Sequence, residues 1–133
     1  MGDRRVKYLD LLQAVIVRMA GNRFTIRTWS VGLGTAVIGY AASKNGNLKA
    51  SLLAALPAVA LWILDAYYLA LERKFRGLFD TARQVDDDAP SFSFALDVQA
   101  SDWAEAAKRP AVWLLHAAVL AVALVVGGRA WLK

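Results

Sequence analysis

Ala50 to Leu71 is an apolar run that holds a single carboxylate, Asp65, and ends directly in Glu72-Arg73-Lys74-Phe75-Arg76. A bilayer core of ~30 Å takes ~20 helical residues at ~1.5 Å each, so a run of this length closed by cations reads as a helix that crosses a membrane and stops at the cytoplasmic surface. An ionisable group at the centre of such a span costs ~2.5 to 3.5 kcal/mol on insertion scales. Asp65 is therefore expected to face protein or water, and it is the first functional candidate.

Hydrophobic residues make up 58% of the 133 in the chain, more than an ordinary soluble domain of this length carries. They gather in three blocks with most charges outside them. The expected fold class is an all-α membrane protein: an N-terminal amphipathic helix, three transmembrane helices, a second span that continues into a cytoplasmic helix, and a short extended segment before the third span. The net charge of +5 comes mainly from the first third, where Arg4, Arg5, Lys7, Arg18, Arg23 and Arg27 oppose only Asp3 and Asp10. Topology and anionic headgroups account for that excess better than a phosphate ligand does. Cysteine is absent, which excludes disulfides and thiolate metal sites. The first 25 residues are too polar for the core of a signal peptide, so the expectation is insertion through the chain's own spans with the N-terminus kept.

The expected segments follow in order. Residues 1–25 form a cytoplasmic amphipathic helix: Tyr8, Leu11, Leu12, Val15, Ile16 and Met19 recur at three and four residues, Asp3 can cap the start, and Gly21-Asn22 can end it. Residues 26–43 form the first span, with Trp29 and Tyr40 as interfacial aromatics and a small-residue stripe of Thr28, Gly32 and Ala36, joined by Gly39, suited to helix packing within one protomer. Ser43 to Leu48 is a tight reversal. Residues 49–71 form the second span, bent at Pro57. Tyr68, Leu71, Phe75, Leu78, Phe79 and Ala82 then keep helical spacing, which predicts one rod leaving the membrane.

Residues 72–109 are the cytoplasmic helix and loop or strand region. Asp86-Asp87-Asp88-Ala89-Pro90 reads as a solvated loop. Ser91 to Val98 alternates with period two, which predicts a strand that pairs with another subunit or lies along the cytoplasmic helices. Ser101 and Asp102 are placed to cap a short helix through Lys108, with Glu105 completing a capping box. Pro110 opens the third span, 110–128, between Lys108-Arg109 and Arg129. The distribution of cations puts the N-terminus and Glu72 to Arg109 in the cytoplasm, and Gly46, Trp131 and Lys133 outside.

Asp65 lies six residues before Leu71, and His116 six after Pro110, on antiparallel spans. The rise of ~1.5 Å per residue puts both ~9 Å below one surface. They can meet as a pair that titrates or binds a permeating cation, or each can be satisfied separately by a packing contact; both readings stand at this point. With Tyr68 they are the pore or gating candidates. A single histidine, no GxxxxGK[ST] loop and no plausible triad argue against an enzyme, and no metal site or cofactor is expected. Arg73, Lys74, Arg76 and Arg83 beside Phe75 make a surface of the kind that holds nucleotide phosphates and bases, although a positive-inside anchor explains the same cations with fewer assumptions.

Two stretches carry a family resemblance. They are Trp62-Ile63-Leu64-Asp65-Ala66-Tyr67-Tyr68-Leu69 with Leu71-Glu72-Arg73-Lys74-Phe75-Arg76-Gly77-Leu78-Phe79-Asp80, and Arg18-Met19-Ala20-Gly21-Asn22-Arg23-Phe24 running into Trp29-Ser30-Val31. Over roughly its first 85 residues the chain resembles small bacterial inner-membrane proteins, the SLATT-like effectors of antiphage islands and the membrane effector of the Hailong system. The resemblance implies an oligomeric channel or pore, silent until infection and controlled through its cytoplasmic part by a nucleotide or oligonucleotide that a partner nucleotidyltransferase makes. Three thin helices enclose no water path, so conduction requires several protomers about an axis, with four favoured. The expected protein is thus a multi-pass homo-oligomer of the bacterial inner membrane with its N-terminus in the cytoplasm. A non-conducting membrane anchor or assembly subunit and a small proton-coupled transporter are the alternatives.

Overall fold

The computed structural model describes residues 2–43, 48–85 and 93–132, and these form four helices: α1 (Gly2–Ala42), α2 (Leu48–Gln84), α3 (Ala100–Ala107) and α4 (Pro110–Trp131). α1 and α2 make a long antiparallel hairpin, with Arg5 bonded to the Val85 carbonyl at one end and Arg27 meeting Asp65 further along. α4 runs parallel to α1 and antiparallel to α2, which closes a three-helix bundle over one half of the hairpin. α3 lies across α2 and turns the chain into α4.

Two helices contain stretches long and apolar enough to cross a bilayer, Ala55–Gln84 in α2 and Pro110–Arg129 in α4. The expected first span, 26–43, is helical and packs with them but does not reach that apolarity, because Arg27, Thr28, Ser30 and Thr35 interrupt it.

The expected break at Gly21-Asn22 is absent, and α1 runs unbroken for 41 residues, ~60 Å. Gly21 costs a helix ~1 kcal/mol relative to Ala, too little to end it when the buried face stays in register on both sides. That face runs through Tyr8, Leu12 and Ile16 before the glycine and Ile26 and Ser30 after it. Bending the chain at Gly21 would lift one set or the other off α2. The predicted continuation of the second span into a rod is what α2 does, through Pro57 and on to Gln84.

Among the described residues there is no strand. Ser93 to Val98, which alternation marked as extended, is irregular chain that lies against α1: Tyr8 donates to the Ser93 carbonyl at 2.6 Å and meets the Phe94 ring edge-on at 5.2 Å. α1 offers it a hydroxyl donor and a ring but no open backbone edge, so period two describes a half-covered segment without a ladder. The remainder of that segment, the triple aspartate and the loop 44–47 fall outside the described residues. Ser101 and Asp102 do not cap α3. Gln99 is the N-cap, and Asp102, at the third helical position, accepts from the Gln99 backbone N–H at 3.0 Å, as an acidic residue in a capping box does. Pro110 opens α4 as expected, with Arg109 as the N-cap.

Candidate functional site

The fully buried Asp65 is the centre of a charged cluster that joins all three long helices. Its Oδ1 accepts from Arg23 Nε at 2.9 Å and its Oδ2 from Arg27 Nε at 3.1 Å, both from α1. Arg23 also reaches Glu72 Oε2 with Nη1 at 3.0 Å, and Arg76 grips the other Glu72 oxygen at 2.8 and 3.0 Å. Arg27 Nη2 donates to the Ala111 carbonyl at the start of α4.

From α4, His116 brings Nε2 to 3.5 Å from Asp65 Oδ2, while its Nδ1 lies 2.9 Å from Ser30 Oγ. His116 Nε2 is buried and makes no hydrogen bond. The assignment that suits both sides has the Ser30 hydroxyl donating to Nδ1 and a proton on Nε2 facing the carboxylate. That contact is then electrostatic, since 3.5 Å is long for a strong hydrogen bond.

Helix geometry explains the gathering. Arg23 and Arg27 stand four apart and Ser30 three further on, so they share one face of α1; Asp65 and Glu72 stand seven apart, two turns along one face of α2. Laid antiparallel, the two faces interleave cations with anions, and the two carboxylates balance Arg23 and Arg27 formally. A buried ion pair is retained at a desolvation cost, offset here because both oxygens of each carboxylate have donors. One turn beyond Ser30, α4 presses so close to Gly34 that any Cβ there would overlap Val119 Cγ1.

The sequence-derived candidates divide accordingly. Asp65 and His116 are brought together. Tyr68 is half-buried beside Tyr67, with ring centres 5.8 Å apart. Gly32, Ala36 and Gly39, expected to pack within the protomer, are exposed, with open space beside both glycines; the close helix approach is made by Gly34 instead. The basic surface on α2 faces carboxylates: Arg73 pairs with Glu105 and Lys74 with Asp102, each at 3.1 Å, Arg83 with Asp80 at 3.4 Å, and Phe75 is half-buried. The Gln99 backbone N–H and then Lys74 hold the Asp102 carboxyl below its usual range, and Arg73 does the same for Glu105.

Arg23, Arg27 and Glu72 belong to the site although their charges read as topology signals in the sequence. The available signal was spacing, an i, i+4 pair of arginines facing an i, i+7 pair of carboxylates. Among the described residues no three metal-ligating side chains come together. Comparison with protein-family models, curated proteins and solved structures yields no match.

Proposed function

We propose that the chain is one protomer of an oligomeric ion-conducting membrane effector, of the bacterial antiphage kind that its sequence resembles, and that the Asp65 cluster latches its helices in the closed arrangement. The observation that carries this reading is an inverted burial pattern. Ser30, Asp65 and His116 are at most 1% exposed, whereas Leu53, Leu56 and Val125 on the same helices are at least 60% exposed. A soluble bundle of this size buries the leucines and solvates the acid; lipid reverses both preferences.

A charged cluster inside a membrane-length bundle is a functional candidate by default, because simple adhesion between helices needs only small residues and van der Waals contact. This one joins α1, α2 and α4, so it has to be rearranged before those helices separate. Orientation follows from charge: Arg4, Arg5, Lys7, Arg73, Lys74 and Arg76 belong to the same end of the α1–α2 hairpin as α3, which the positive-inside rule assigns to the cytoplasm of an inner membrane. A signal from a partner nucleotidyltransferase, delivered as a nucleotide or oligonucleotide, would act on that end. Several protomers, four in the simplest closed ring, would surround the water path. The proton-coupled alternative is less well supported, since both Asp65 oxygens are already committed to guanidinium groups.

Planar-bilayer recording from the purified full-length protein tests the reading. Asp65→Asn keeps the shape and removes the charge that holds two arginines, so it is expected to raise open probability over wild type, while Arg18→Gln on the exposed side of α1 leaves it unchanged. A bilayer that stays tight for wild type and Asp65→Asn alike rejects conduction and leaves the anchor reading.

A further inference from the structure

Beside the cluster, on the outer side of α4, an apolar groove of about 500 Å³ runs between α2, α3 and α4. Trp113, Ala117 and Leu120 line it at four- and three-residue spacing, so it follows one face of α4 for about 10 Å below the first turn. Its opposite wall is Trp62 together with Ala104 and Ala107 of α3. The walls are fixed by reciprocal bonds: Trp62 Nε1 donates to the Ala107 carbonyl at 3.3 Å, and Trp103 Nε1 to the Ile63 carbonyl at 3.0 Å. A second apolar groove of about 310 Å³ adjoins it behind Trp62 and Trp103.

The mouth has the opposite chemistry. Lys108, which lines the groove, is exposed at the α3–α4 junction, two residues before Pro110 opens the apolar helix. Tryptophans concentrate where a bilayer's headgroups meet its chains, and a lysine at that depth sits at phosphate level. A long apolar trough with a cation at its interfacial end is complementary to one class of molecule. We propose that the groove is a binding site for an anionic phospholipid, with an acyl chain along Trp113, Ala117 and Leu120 and the phosphate on Lys108. The site depends on the membrane location of the chain and is independent of whether it conducts ions.

Native mass spectrometry of the full-length protein, released from vesicles of phosphatidylcholine and phosphatidylglycerol in equal parts, tests this directly. Wild type is expected to retain phosphatidylglycerol about fivefold over phosphatidylcholine, the factor that one interfacial lysine supplies. Lys108→Gln should abolish the preference, and Arg129→Gln, the same charge change at the far end of α4, should keep it. Ala117→Leu narrows the trough without touching charge and should lower retention of both lipids. Equal retention of the two lipids by wild type, equal loss in the Lys108 and Arg129 variants, or full retention by Ala117→Leu each overturns the proposal. Displacement of the retained lipid by inorganic phosphate alone would show that the lysine holds a free anion, and overturns it as well.

Discussion

The two halves of the α1–α2 hairpin are held together by opposite chemistry. Toward its polar end, Tyr8, Leu12 and Ile16 are buried and Arg4, Lys7 and Arg18 stay outside, together with the exposed Val6, Leu11 and Val17, so the contact there is apolar. Toward the other end the same two helices bury Ser30 and Asp65 and turn Leu53, Leu56 and Trp29 outward. In the proposed membrane setting, leucine gains nothing by leaving lipid for a protein interior, so hydrophobicity would not bring helices together there, and polar and close-packed contacts would take over. One pair of helices thus changes its adhesive along its length, and the change falls near Gly21, where the sequence pattern suggested an end. Continuity of the helix and discontinuity of the chemistry are separate properties.

Breaking the contrast at its strongest point gives the largest effect. Asp65→Ala leaves Arg23 and Arg27 facing each other without their shared anion and is expected to cost ~3 to 5 kcal/mol, read as a lowered unfolding midpoint in detergent. Leu12→Ala in the polar half should cost a comparable or slightly smaller ~2 to 5 kcal/mol by leaving a cavity, and it should leave conductance unaltered, which separates the two halves functionally. Gly34→Ala sharpens the picture of the second half: the new methyl drives Val119 aside, for ~1 to 3 kcal/mol of overpacking, while Gly32→Ala, with open space around it, is expected to be neutral within the protomer.

The smallest effect concerns α3, tied to α2 by exposed ion pairs. Asp102 and Glu105 have carboxyls held below their unfolded range, so their contribution to docking is fully present above the unfolded value of ~4 and disappears as pH falls through the lower, folded one. Amide exchange of residues 100–107 should therefore accelerate only below about pH 4, and high salt should mimic the change. Exchange that rises equally at neutral pH would show that the tryptophan bonds alone hold α3.

Much of this arrangement can be read from residues. The α2 rod was legible because its apolar spacing persists past Leu71, and the common level of Asp65 and His116 because helical rise converts sequence offsets from two landmarks into depths, whereas their partners, two arginines and Ser30, were not. What escaped was partner choice. Nothing in a count of cations distinguishes Arg23, which turns inward to two carboxylates, from Arg18, which does not; only the register of α1 against α2 decides, and that register is a tertiary property. Likewise the alternation, over the described Ser93 to Val98, reports a half-covered segment, but sidedness alone does not say whether a strand or a helix supplies the cover. Gly32 and Gly34 stand two residues apart, on nearly opposite faces of the helix, and that turn separates open space from contact with α4.

The uninterrupted course of α1 has a consequence for how force moves through the molecule. In the proposed gating, a rod of 41 residues with no joint between Tyr8 and Gly34 would act as a lever whose fulcrum is the guanidinium pair, carrying torque from the basic tip to the glycine contact. A distance between spin labels at Lys7 and Leu33 that stays constant while their distances to α4 change would record that rigid swing.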